Sequence, residues 1–151
     1  MITPEYARTM ARYNEELNRR IYGAAQRLSD EQRRSDEGAY WKPIHATLSH
    51  LYWADRIWLS RFGVAQAPDV PIAQSGTMIE EFDTLWTERQ ALDRTIVAWA
   101  DAMTADEIEG TLSWYSGATG RQMSKPRALL IMQIFNHQTH HRGQVHAMLT
   151  A

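Results

Sequence analysis

The chain has 151 residues, a formal charge of −2 and no cysteine. That length suits a single domain with a core of useful size, and the absent thiols exclude disulfides, thiolate metal ligands and a cysteine nucleophile. Positive and negative residues are interspersed, so no basic stripe points to nucleic acid. No charged-then-apolar leader and no apolar run near the ~18 residues of a membrane span occurs, which gives the expectation of a soluble, cytoplasmic protein with no membrane partner.

Four long periodic segments organise the chain, and an all-α fold is expected. Thr3 followed by Pro4 reads as a cap with proline at the first helical position, and the pattern runs to about Leu28. Ser29-Asp30-Glu31-Gln32 is a fresh cap and a short turn. Pro43 opens a second segment that continues to about Phe62 and stops at Gly63. After a loop with Pro68, Pro71 and Gly76, Thr77 and Glu80 form a capping-box pattern ahead of a third segment ending near Met103. Thr104 with Glu107 repeats that signature for one turn. From Glu109 to Met123 the glycines and the alternation of Leu112 and Trp114 with Ser113 and Tyr115 suggest a small hairpin or an irregular loop. Ser124-Lys125-Pro126 opens the last segment.

That last segment carries His137 and His141, four residues apart. On an α-helix the spacing turns both imidazoles to one side, a single turn apart, where they can reach one divalent cation. Projection at about 100° per residue puts Leu130, Ile134, His137, His141, Val145 and Met148 on one narrow stripe, so the pair is expected to point inward. On the second segment His50 groups with the small Ala46, Thr47 and Ala54, beside Trp53, the tryptophan expected to belong to a pocket. Three buried imidazoles without a cation would need three sets of hydrogen-bond partners, each missing one costing roughly 1–3 kcal/mol. A shared metal satisfies them together. His45, His140 and His146 fall off these stripes and are expected to be solvated or on flanks. Leu48, Leu51, Trp58, Leu59 and Phe62 occupy a second, broader side of the same segment, as in a bundle helix that also meets a partner.

Other polar residues share apolar stripes. Asn14 and Asn18 align with Ala7, Met10, Leu17, Ile21, Ala25 and Leu28, which suggests a pocket wall. Arg89 and Asp93 interrupt the stripe of Met78, Phe82, Trp86, Ile96 and Ala100. They are either an intrahelical ion pair or, for Arg89, a contact to an anionic substrate. Asp55 and Arg142 each suit one half of a pair between helices or subunits, and the six tryptophans mainly suit a core.

The runs Thr47-Leu48-Ser49-His50-Leu51 and Ala54-Asp55-Arg56-Ile57-Trp58, together with Phe135-Asn136-His137-Gln138-Thr139-His140-His141-Arg142-Gly143-Gln144, closely resemble the DinB-like family of damage-inducible helical proteins. Tyr13-Asn14, Asn18, Glu88-Arg89 and Asp93 also look like that family's pattern, and the resemblance spans nearly the whole chain. It implies a four-helix bundle with an up-up-down-down connection, commonly a homodimer, holding a divalent metal on His50, His137 and His141. The chain ends soon after its last segment, so any C-terminal extension used elsewhere in the family is not expected. Zinc or nickel is the usual metal for such proteins, and some relatives are metal-dependent transferases or isomerases that use a low-molecular-weight thiol.

Three neutral imidazoles leave coordination positions open, as a catalytic site requires. The expectation is a metal-dependent enzyme of thiol-transferase or hydrolase type acting on a small molecule, with a low-molecular-weight thiol as a cosubstrate from outside the cysteine-free chain. The alternatives are a non-catalytic metal-binding or stress-response dimer and a helical bundle with no metal. No glutamate sits beside the paired histidines as in an H-E-x-x-H protease, which disfavours a peptidase. Asp93 is the acid available as a general base.

Overall fold

The computed structural model describes residues 2–36 and 43–150; Trp41 lies outside them. Helix α1 (Pro4–Gln26) starts as expected, with the Thr3 hydroxyl accepting from the Tyr6 backbone N–H at 3.2 Å. Its buried residues are Ala7, Ala11, Asn14, Asn18, Tyr22 and Ala25. Met10, Leu17, Ile21 and Leu28, expected on the same stripe, are half-buried on its flank. The buried positions, spaced three or four residues apart, make the narrow seam of a packed helix, small at Ala7, Ala11 and Ala25 and filled by Tyr22.

The turn α2 (Asp30–Arg34) carries a reciprocal capping box between Ser29 and Gln32. Helix α3 (Ile44–Arg61) is buried without interruption from Thr47 to Asp55. It packs on α4 (Phe82–Ala102), on α6 (Arg127–Thr150) and on a 3₁₀ segment, Ile72–Thr77. On the second side of α3, expected to meet a partner molecule, Leu48, Leu51 and Leu59 are enclosed within the chain, and Trp58 and Phe62 are half-buried. Gly76 lets the 3₁₀ segment approach the other side of α3, that of Ala46 and His50: a Cβ there would stand 3.2 Å from the Ala46 Cβ. The Thr77–Glu80 signature does not start a helix. Thr77 ends the 3₁₀ segment and α4 begins at Phe82, with Glu81 as its cap residue.

The short turn α5 (Ala105–Ile108) has the expected capping box, with the Thr104 backbone N–H donating to Glu107 Oε2 at 2.8 Å. The Glu109–Met123 region resolves as a hairpin, β1 (Thr111–Ser116) antiparallel to β2 (Arg121–Pro126), with Trp114 opposite Met123. Gly120, at φ 65°, closes its turn by donating to the Ser116 carbonyl at 2.8 Å. Pro126 ends β2, so α6 starts one residue later than the proline signal suggests.

The protein is thus mostly helical with one small two-stranded sheet. Helix α1 touches α4 and α6, and α3 touches the same two. The core lies between them, with Leu48, Leu51, Leu85, Ile96, Ile131 and Phe135 among its fully enclosed residues. No helix among the described residues is long and apolar enough to cross a membrane.

Candidate metal centre

Helices α3 and α6 bring His50, His137 and His141 together, one ligand atom from each lying within 4.8 Å of the others. The His50 ring centroid is 5.4 Å from that of His137 and 5.0 Å from that of His141. The two α6 rings are 4.5 Å apart, with their Nε2 atoms at 3.1 Å. A tetrahedral ion with nitrogen ligands at ~2.0–2.1 Å sets ligand pairs roughly 3.3 Å apart, close to the separation of that Nε2 pair.

Outer partners orient the rings. The Gln144 side-chain carbonyl accepts from His141 Nδ1 at 2.6 Å, which puts the ring proton on Nδ1 and turns the Nε2 lone pair inward. His50 Nδ1 pairs with the Ser75 hydroxyl at 2.8 Å. Ser75 is itself held on α3, its backbone carbonyl accepting from the Ser49 hydroxyl at 2.7 Å. His137 Nδ1 is buried with no hydrogen-bond partner among the described residues.

Burial and mutual repulsion keep the rings neutral. Desolvation, then the neighbouring His137 and His141, pushes His50 down to about 3. Desolvation and His141 push His137 down to about 4, against an opposing pull from Asp55. Burial also lowers His141, partly offset by its bond to Gln144. Neutral imidazole is the form that ligates a metal. Two Nε2 atoms in contact and a hard-to-protonate trio together fit a divalent cation, so this group could hold one.

The trio opens into a cleft of about 800 Å³ whose wall includes Trp53, Trp58, Arg61, Trp114 and His140. Trp53 lies nearly parallel to the His50 ring at 6.2 Å, and its indole N–H donates to the Val70 carbonyl at 2.8 Å. Trp53, expected at a pocket, lies on the wall of this cleft. Trp58 and Trp114 also belong to this wall, and they meet edge-to-face at 5.4 Å. Helical projection puts Trp58 on the apolar side of α3, and only the hairpin's return over α3 brings Trp114 there. Ser75 and Gln144 were equally hidden, because a loop serine has no periodicity and a glutamine three residues after a histidine is commonplace.

Asn14, Asn18, Arg89 and Asp93 do not line this cleft. They lie in a buried polar network between the helices. Arg89, 1% exposed, donates to Asp55 Oδ2 and to Asp93 Oδ1, both at 2.7 Å. The Asn18 amide donates to Asp93 at 3.0 Å, and Gln138 donates to Asp55. Arg142 donates to Asn14 and, at 3.2 Å, to Asn18 and Gln138. Burial alone would lower the Arg89 pKa, but Asp93 and Asp55 outweigh it and hold it above its ordinary value. Of the two alternatives for Arg89, the one-turn pair with Asp93 is present, and Asp55 from α3 extends it. Asp93, committed to Arg89 and Asn18, does not reach the cleft as a general base.

His45, expected to be solvated or on a flank, is 2% exposed, with its Nε2 bonded to the Ile79 carbonyl at 2.8 Å. The segment leading into α4 folds over it, which no helical projection of α3 shows. His140 and His146 are exposed as expected, His140 on the rim of the cleft.

Comparison with curated proteins and with solved structures finds no match. The DinB family model matches residues 1–151, the whole chain. With that match and a histidine trio built from two of its helices, the chain belongs to the DinB family.

Proposed function

We propose that the protein is a metal-dependent enzyme of thiol-transferase or hydrolase type, acting on a small molecule, with a divalent cation held by His50, His137 and His141. The observation that carries this reading is the position of the trio. Three inward imidazoles meet at the wall of an 800 Å³ cleft, where a structural site would be closed by protein ligands. The all-nitrogen donor set suits zinc or nickel among the common divalent metals. The pairwise contacts of α1, α3, α4 and α6 support a four-helix bundle as the frame.

When bound, such a cation supplies Lewis acidity and eases deprotonation of a water or thiol. The chain's own residues set the rest. Gln144 holds His141 in the ligating tautomer, Ser75 orients the His50 ring, and Trp53, Trp58 and Trp114 supply apolar walls that exclude water. His140 is the imidazole on that wall outside the trio, placed to take a proton. Because the chain has no cysteine, a thiol route requires a low-molecular-weight thiol as cosubstrate.

Elemental analysis of the purified protein, followed by chelation and titration with zinc and with nickel, tests the site. One ion per chain is expected. His137→Ala should weaken affinity more than 100-fold, and Gln144→Ala, which removes only an outer partner, 10- to 100-fold. A panel of thiols with electrophiles, and of small esters and amides, then tests turnover. Stoichiometric metal with no turnover, and a His137→Ala protein that only loses stability, would instead establish a structural ion.

A further inference from the structure

Arg61 is the unexplained charge in the cleft. Among the described residues the wall contains no aspartate or glutamate, and Arg61 is its one lysine or arginine. Its guanidinium carbon sits 4.3 Å from the Trp58 ring centroid and 5.1 Å from that of Trp114. Among the described residues no carboxylate forms an ion pair with it. Burial pulls its pKa below the ordinary value, and no neighbour offsets this. Arginine still keeps its proton there.

A cation in the last turn of α3 complements the helix dipole, but that role is served equally by a side chain extended into water. Here the guanidinium rests against two indoles that meet each other edge-to-face at 5.4 Å, so both tryptophans flank it from one side and the rest of it is open to the cleft. Desolvated stacking of this kind holds a guanidinium in one orientation and strengthens its bond to an anion. Arg61 also follows His50 by three helical turns, so the two lie on one side of α3, separated by roughly 16 Å of helical rise. The side chain leans back toward the helix N-terminus, and Ile57 and Trp58 fill the interval.

We propose that Arg61, held against Trp58 and Trp114, is the anion subsite of this cleft and selects elongated organic carboxylates with an apolar body. This deepens the metal-enzyme reading and rests on it for the reaction, though not for binding. The carboxylate meets the guanidinium fork, the apolar body lies along Ile57 and the tryptophans, and the far end approaches the histidines. Specificity then follows from charge: a neutral analogue leaves the arginine desolvated and unpaired.

Calorimetric titration with 4-phenylbutyrate and with its neutral amide tests this on the chelated protein, where no metal can bind the carboxylate. The acid is expected to bind at least tenfold more tightly than the amide. Arg61→Gln should abolish that preference, Arg61→Lys should retain part of it, and circular dichroism should show both variants folded. Equal binding of acid and amide, or an Arg61→Gln protein that still prefers the acid, overturns the subsite. If Arg61→Gln does not fold, Trp114→Ala on the hairpin replaces it, with the same preference expected to fall severalfold and an unchanged preference overturning the subsite. Loss of metal binding with the preference intact would defeat the metal reading alone.

Discussion

Arg89 shows how strongly single residues are committed in this protein. Its guanidinium bridges carboxylates from two helices inside the core, and every partner is itself hydrogen-bonded. Replacing it with methionine preserves bulk but leaves Asp55 and Asp93 facing each other without a cation. Breaking a buried pair in this way costs about 3–5 kcal/mol. Urea unfolding of Arg89→Met should show that loss as a lower midpoint with little change in slope, while the folded fraction still binds metal at the histidines. The sequence shows Arg89 and Asp93 one turn apart on an apolar stripe. Asp55, the second carboxylate, is 34 positions away on another helix, and no local pattern pairs it with Arg89. The histidine pair was legible for the opposite reason: its geometry is internal to α6.

At the scale of elements, the 3₁₀ segment does the work that sequence reasoning assigned elsewhere. It covers α3, supplies Ser75 to His50 and brings Gly76 against Ala46. Gly76→Ala must displace either the segment or the backbone of α3, since the nearest atoms belong to a short, inflexible alanine. A loss of about 1 kcal/mol is expected, with weaker metal affinity because Ser75 moves with its neighbour. Thermal unfolding together with metal titration of the variant checks both. The Thr77–Glu80 signature misled because a capping box is a local tendency, whereas Ser75 and Gly76 are held by α3. The boxes at Ser29 and Thr104 formed because no such tertiary demand competes with them.

For the whole molecule, the neutral histidine trio links folding to pH. His50 and His137 titrate near 3 and 4 when folded and near 6.5 when unfolded. Between those limits the unfolded chain binds more protons, so lowering the pH favours unfolding. The metal-free protein should be most stable above about pH 6.5 and lose stability from there toward pH 4, by up to about 1.4 kcal/mol per pH unit for each histidine. Urea midpoints measured from pH 8 to pH 4 on chelated protein test this, and His50→Gln should flatten the slope. A saturating cation should raise the melting temperature, in proportion to the logarithm of its concentration. The amino-acid sequence by itself determined the helical segments, most of their caps and the inward-facing histidine pair, because those depend on periodicity and spacing along one chain. Tertiary structure alone decided the orientation of His50 by Ser75, the second carboxylate on Arg89, the covering of α3 by its own chain and the meeting of Arg61 with Trp114. Each of these joins residues remote in sequence, and their energies come from burial and desolvation that exist only once the helices have packed.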